Sequence, residues 1–199
     1  MKSNVCKIEK GTRDLGAILK ESERVAVYNE LTHKQTLQLR LLCEEIDGML
    51  PNIIDVFDGE FWIDFENHVC KVNVLLKIPE FNIYQKEELI GIAKNKKNSA
   101  AVGIVGKIRD SVENFLLDEM RMEALTVSSE SFVLENACVE AADYSYYWRL
   151  EEYKNFVDKD NQAVAWDELE KSVIASVADD IIVGVKGRQA SITIVKKFA

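Results

Sequence analysis

Proline, histidine and closely spaced cysteines are scarce in this sequence, and each scarcity excludes a class of structure. Two prolines, Pro51 and Pro79, occur in 199 residues, so long regular elements can run uninterrupted. The two histidines have no metal-ligand spacing, and the four cysteines form no C-x-x-C pair, a pattern typical of packed, reduced thiols. No run reaches the roughly 18 apolar residues of a membrane helix, so no membrane span is predicted.

Positive charge is also in short supply. The chain carries 25 Lys and Arg against 34 Asp and Glu, a formal net charge of −9, and its 47% apolar content is typical of a globular domain. Because nucleic acids and anionic membranes are bound through Lys and Arg, we expect neither as a partner. We interpret residues 1–199 as a single domain, and the lack of an apolar stretch in Met1–Cys6 favours a cytoplasmic location.

Two amphipathic helices are predicted at the start of the chain. Apolar side chains recur at helical spacing from about Arg13 to Glu30, and again from Lys34 to about Leu50. Thr32 and Gln35 have the spacing of a capping box, which predicts the start of the second helix. Pro51 is the expected end signal of that helix.

The hydrophobic period then changes to two, which predicts strands. Four strands in two hairpins are predicted, at residues 60–65, 69–78, 180–185 and 191–198. Between the hairpins the spacing predicts helices at 84–94, 100–122 and 166–178, together with an aromatic-rich helical insertion at 121–165 whose stretch 144–150 is helical. Strand pairs separated by helix pairs predict an α+β fold, a two-layer sandwich.

This order of elements and three short stretches resemble the GHKL ATPase superfamily, which includes DNA gyrase and histidine kinases. The stretches are Leu41–Leu50, Gly103–Lys107 and Ile192–Lys196. Within the superfamily the chain looks most like the small bacterial anti-sigma-factor serine kinases, and the resemblance covers roughly 13–120 and 166–198. It implies a histidine-kinase-like sandwich with a mixed, largely antiparallel sheet that clamps ATP and magnesium between helices and sheet.

In that family a glutamate of the second helix is the general base, and an asparagine four residues later ligates magnesium. The resemblance implies Glu45 or Glu44 as the base, but the residues four positions later are Met49 and Gly48. Asp47 is then the oxygen side chain left to hold the cation. From the residues alone, the three carboxylates fit a solvated helix face as well, and Gly48 fits either a nucleotide contact or a close helix–sheet contact.

The family's nucleotide motifs are carried only in part. No Asp-x-Gly-x-Gly follows the second strand, which leaves Asn82 or Glu80 as the candidate for contacting the base. Gly103 and Gly106 at a helix start, with Lys107, match the family's phosphate-binding glycines, because backbone N–H groups at a helix start can hold an anion. Tight helix packing is the alternative interpretation of the two glycines.

Two functional hypotheses follow. In the first, the chain is a nucleotide-binding or regulatory protein that resembles anti-sigma-factor serine kinases but has degenerate Mg-ATP chemistry; if active, it would be an ATP-dependent serine kinase or ATPase. In the second, it is a non-catalytic protein-interaction or ligand-sensing module that keeps only the fold. Both include a protein partner, with the 121–165 insertion as candidate docking surface, and both leave a homodimer open.

Overall fold

An antiparallel sheet covered on one face by helices organises the computed structural model, which describes residues 1–9, 14–53, 58–77, 104, 106–109, 112, 146–159, 172–186 and 188–198. The elements in chain order are β1 (Cys6–Glu9), α1 (Leu15–Tyr28), α2 (His33–Ile53), β2 (Asp58–Glu66), β3 (Val69–Lys77), β4 (Tyr146–Arg149), α3 (Leu150–Lys159), α4 (Val173–Val177), β5 (Asp180–Lys186) and β6 (Gln189–Lys197). Residues 104, 106–109 and 112 are also helical.

The sheet has six strands in the order β1-β2-β3-β6-β5-β4. The two predicted hairpins, β2–β3 and β5–β6, meet at its centre, where β3 pairs with β6 along nine residue pairs. Every pairing between the described strands is antiparallel, so no parallel pair of the expected mixed sheet is seen among them. The predicted α+β class is confirmed, while the GHKL type stays a prediction.

The core lies between the helices and one face of this sheet. Alternate residues of β2 point to the helices, and Phe61 and Ile63 are fully buried there. α1 and α2 form an antiparallel helical hairpin, and the core stripe of α2 includes Leu42, Ile46 and Met49. The predicted helix 100–122 is helical where it is described, and its buried apolar side chains there are Ile104, Ile108 and Val112.

The predicted helix signals hold at the start of α2 and fail at its end. The capping box is confirmed: the Thr32 N–H donates to Oε1 of Gln35 over 2.9 Å, and the Gln35 N–H donates to Oγ1 of Thr32 over 3.4 Å. Pro51 lies inside α2 instead of ending it, and the helix continues to Ile53. A proline this close to the end removes one backbone hydrogen bond and leaves little helix beyond it to disrupt.

Both edge strands of the sheet were missed by the sequence patterns. The prediction of a helix over 144–150 is wrong, because Tyr146–Arg149 forms β4 against β5 and a helix begins only at Leu150. β1 was not predicted at all. The predicted helix 166–178 is observed as α4 at Val173–Val177, and the predicted helix 84–94 lies outside the described residues.

The N-terminal edge of the sheet carries a bulge that is fastened to α1. Lys2 is opposite Asp64 and Cys6 is opposite Phe61, so four residue steps on one strand face three on the other. Within the bulge, Asn4 donates to the Glu21 carboxylate from its backbone N–H over 3.0 Å and from its side-chain amide over 3.1 Å. A bulged edge presents an irregular row of backbone groups and resists pairing with another strand.

Candidate functional site

The carboxylates predicted as base (Glu45 or Glu44) and as metal ligand (Asp47) all lie on the second half of α2, but they do not share one face. Glu45 is half-buried, while Asp47 is 8% exposed. Positions two apart on a helix are turned by about 200°, so these two side chains lie on opposite flanks of α2. Glu45 as base and Asp47 as metal ligand are therefore not brought together by this helix.

Glu44 is adjacent to Asp47 on the helix surface, but its carboxylate is already engaged. Nε of Arg40 donates to Oε1 of Glu44 over 2.9 Å, and the same guanidinium lies 3.7 Å from Glu23 of α1. The hydrogen bond from Arg40 to Glu44 raises the pKa of Arg40 above its ordinary value, and the charge attraction between the two groups adds to this effect. Glu44 is thus part of an ion-pair network that faces solvent. This agrees with the alternative interpretation of the sequence, in which the carboxylates form a solvated helix face.

The two positions at which the family has its magnesium-ligating asparagine have unrelated surroundings here. Met49, four residues after Glu45, is 4% exposed and belongs to the core. Gly48, four residues after Glu44, is exposed, and a Cβ added there would meet nothing within 4 Å. The close helix–sheet contact suggested for Gly48 is therefore wrong, and its position offers no side-chain ligand.

The predicted phosphate-binding residues are described only at Gly106 and Lys107. Gly106 is buried in helical backbone. Nζ of Lys107 lies 5.9 Å from the ring centroid of Tyr153 on α3, within range of a cation–π contact. Tyr153 in turn pairs with Trp148 of β4 at a centroid distance of 6.1 Å. Lys107 thus lies beside Tyr153 of α3, next to edge strand β4. Asn82 and Gly103 lie outside the described residues.

A charged cleft at the end of β4 was not anticipated from the sequence. Its volume is about 280 Å³, and its walls come from α3, β5 and β6. At its base Asp180, 6% exposed, accepts hydrogen bonds from Nε of Arg149 over 2.8 Å and from the Glu151 N–H over 3.2 Å. Asp180 therefore caps α3 and ties β4 to β5, a structural role that satisfies its charge.

A second unanticipated polar network crosses the face of the sheet opposite the one on which the described helices α1 and α2 pack. Oδ2 of Asp64 accepts hydrogen bonds from Nε1 of Trp62 over 2.8 Å and from Nδ2 of Asn73 over 3.1 Å. Oγ1 of Thr193 donates to Oδ1 of Asn73 over 3.0 Å. Asp64 and Asn73 are nine positions apart across the β2–β3 hairpin, but Thr193 of β6 is 120 positions from Asn73, so no local motif could reveal the whole network.

The described cysteines are packing residues, as predicted. Burial, and secondarily the charge of Asp64, raises the pKa of the Cys70 thiol to about 12, and burial raises that of Cys43 well above its ordinary value. Such thiols stay protonated and weakly nucleophilic at neutral pH. Within the described part of the chain, no group of three or more His, Cys, Asp or Glu side chains could hold a metal ion.

Comparison with known proteins identifies no relative of this chain. The chain matches no protein-family model, no curated protein and no solved structure. None of the helices described for this chain is long and apolar enough to cross a membrane. We therefore infer function from the arrangement of α2, from Lys107 and from the surfaces of the fold.

Proposed function

We propose that this protein is a GHKL-like regulatory module that binds a nucleotide or a protein partner and has lost magnesium-dependent phosphoryl transfer. It resembles the anti-sigma-factor serine kinases in the order of its elements. Its expected action is to change the availability of a partner protein by binding, with ATP or ADP as the candidate small-molecule ligand and no metal-dependent step.

The observation that carries this proposal is the environment of the second helix. A magnesium-bridged triphosphate needs oxygen ligands that converge on the cation. On α2 the position four residues after Glu45 is a core methionine, and the position four after Glu44 has no side chain. Asp47 is on the flank opposite Glu45, so replacing the missing ligand would require rotating the helix and exposing its core stripe.

Nucleotide binding without magnesium is compatible with the rest of the site. Lys107 is a half-buried cation beside the ring of Tyr153, which in turn pairs with the ring of Trp148. Cations and aromatic faces are the groups that bind phosphates and nucleobases in metal-free sites. Gly106 precedes the lysine in helical backbone, in keeping with the glycine-bearing helix of the family.

The second candidate function is that of a protein-interaction module with no nucleotide. The observation that favours it is a set of strongly exposed apolar side chains at the turn between α1 and α2, which include Val27 and Tyr28. Exposed apolar groups gathered at one corner are typical of protein–protein contacts.

An ATP-turnover assay separates catalysis from binding. The proposal predicts that the wild type with magnesium turns over ATP no faster than Glu45→Ala, in which the candidate base is removed. Glu44→Ala is the matched control, because it removes an adjacent carboxylate that is engaged by Arg40. Turnover well above background that is lost in Glu45→Ala and kept in Glu44→Ala would contradict the proposal and assign Glu45 as a base.

A further inference from the structure

The charged cleft at the end of β4 is lined by both signs of charge. Six charged residues contribute to its wall, three cations and three anions: Arg149, Lys154, Lys197, Glu151, Asp179 and Asp180. We refer to the space that they enclose, about 280 Å³, as the β4–α3 cleft. Because the two signs are equal in number, the ligand that the cleft favours depends on which of these groups the fold already engages.

The three carboxylates of the β4–α3 cleft are engaged by other groups of the chain. Oδ2 of Asp180 accepts a hydrogen bond from Nε of Arg149 over 2.8 Å, and Oδ1 accepts one from the Glu151 N–H over 3.2 Å. Oδ2 of Asp179 accepts the Lys197 N–H over 2.5 Å. Oε2 of Glu151 lies 3.4 Å from the Arg149 guanidinium. These anions therefore have partners without any ligand.

The two lysine side chains of the cleft lack such partners. Nζ of Lys154 donates a 3.4 Å hydrogen bond to the carbonyl oxygen of Ala175, a neutral acceptor. Among the residues that the structure describes, no carboxylate forms an ion pair with the ammonium group of Lys154 or of Lys197. Lys154 is half-buried, so its charge is partly removed from water without a counter-ion. An anion in the cleft would supply that counter-ion.

A metal ion is a poorer match to this cleft, although two aspartates line it. A hard cation needs carboxylate oxygens that are free to converge on it, and those of Asp179 and Asp180 already accept hydrogen bonds. Over the described ranges, no group of three or more His, Cys, Asp or Glu side chains could hold a metal ion. The ammonium groups of Lys154 and Lys197 would also repel a cation.

We propose that the β4–α3 cleft binds a small phosphate-bearing anion. A phosphate monoester carries about −1.5 to −2 charges at pH 7, which matches the two ammonium groups of Lys154 and Lys197, whereas a single carboxylate carries one. Its oxygens can accept from both lysines and from the amide of Asn155, which also lines the cleft. The proposal does not depend on a nucleotide site at Lys107.

The size of the cleft limits the ligand to a small molecule. Ligand sites usually measure roughly 300–1,000 Å³, and this cleft is just below that range at about 280 Å³. A short phosphorylated molecule is therefore expected. Glycerol 3-phosphate is a suitable probe, and succinate is the matched dianion that has no phosphate.

The test is isothermal titration calorimetry of the full chain with each probe at one fixed ionic strength. We expect glycerol 3-phosphate to bind at one site per chain, and succinate at least about tenfold more weakly. Lys154→Gln/Lys197→Gln is expected to raise the dissociation constant for glycerol 3-phosphate at least about tenfold. The charge-matched control Lys20→Gln/Lys34→Gln alters two exposed lysines of α1 and α2 and is expected to leave it unchanged. Circular dichroism checks that the variants fold.

A conservative variant separates loss of charge from loss of structure. Lys154→Arg/Lys197→Arg keeps both positive charges and is expected to bind within about threefold of the wild type. The proposal is overturned if the wild type binds no glycerol 3-phosphate at millimolar concentration, or if succinate binds equally well. It is also overturned if the control or the arginine variant loses as much affinity as the glutamine variant. Affinity lost in Lys107→Gln and kept in the cleft variant would place the anion beside Tyr153, which overturns this proposal and leaves the nucleotide proposal intact.

Discussion

Replacing Gly48 by alanine should stabilise this protein, although the family resemblance places that residue beside a nucleotide. Gly48 lies inside α2, is exposed, and has open space where a Cβ would be. Glycine is about 0.8–1.0 kcal/mol less favourable than alanine in a helix interior, because it loses more backbone freedom on folding. With no clash to offset this gain, Gly48→Ala is expected to raise the free energy of unfolding by about 0.8–1.0 kcal/mol.

Gly59 provides a matched substitution with the opposite expected sign. A Cβ at Gly59 in β2 would lie 2.7 Å from the carbonyl oxygen of Leu75 and 3.2 Å from Cγ1 of Ile8. The backbone oxygen cannot move away without disturbing the β2–β3 ladder, so Gly59→Ala is expected to destabilise by about 1–3 kcal/mol, the usual cost of overpacking.

Urea unfolding of the two variants and the wild type measures both effects, and thermal unfolding checks them. For a chain of this size a change of 1 kcal/mol corresponds to a shift of roughly 2–4 °C in Tm. A Gly48→Ala variant that is less stable than the wild type would contradict this expectation and would mean that another group packs at that face of α2. Loss of nucleotide affinity in a stabilised Gly48→Ala variant would restore Gly48 as a nucleotide contact.

Three further substitutions test individual contacts. Burial alone raises the pKa of Glu21, but hydrogen bonds from Asn4 and Arg24 outweigh it and lower that pKa from the ordinary 4.5. Glu21→Gln is therefore expected to lower the free energy of unfolding, measured with urea, at neutral pH. The difference from the wild type should disappear as the pH falls through the pKa of Glu21 in the folded protein; a difference independent of pH would contradict this. Glu30 and His68 have left-handed backbone conformations, with φ of 52° and 61°, which glycine adopts without strain. Glu30→Gly and His68→Gly are each expected to raise the free energy of unfolding by about 1 kcal/mol in the same assay. A lower stability in either variant would show that the lost side chain made a contact worth more than the strain.

The four central strands could be predicted because each is seven to nine residues long and rich in β-branched or aromatic residues, and because buried positions alternate along β2. The edge strands could not. β4 is four residues long, and its sequence Tyr146–Arg149 is three aromatics and a cation with no alternation of apolar and polar residues. It is a strand because β5 offers it a pairing edge and because Asp180 holds Arg149, a partner 31 positions away. Local periodicity contains neither piece of information.

The candidate site was less predictable than the fold. The spacing of apolar residues correctly placed Glu44, Glu45 and Asp47 on one helix. Which of them face solvent and which face the core depends on the side of α2 that packs against the rest of the fold. Whether Gly48 faces a neighbour or solvent depends likewise on tertiary packing. Lys107 was identified from its place after Gly106, while its contact with Tyr153 joins segments far apart in sequence.

The most direct measurement is isothermal titration calorimetry of the wild type with ATP or ADP, once with excess magnesium and once with EDTA. Because α2 offers no convergent oxygen ligands for the cation, we expect magnesium to leave any nucleotide dissociation constant unchanged within about twofold, a difference of less than about 0.5 kcal/mol. Binding that tightens tenfold or more with magnesium, and loses that gain in Asp47→Asn, would contradict it.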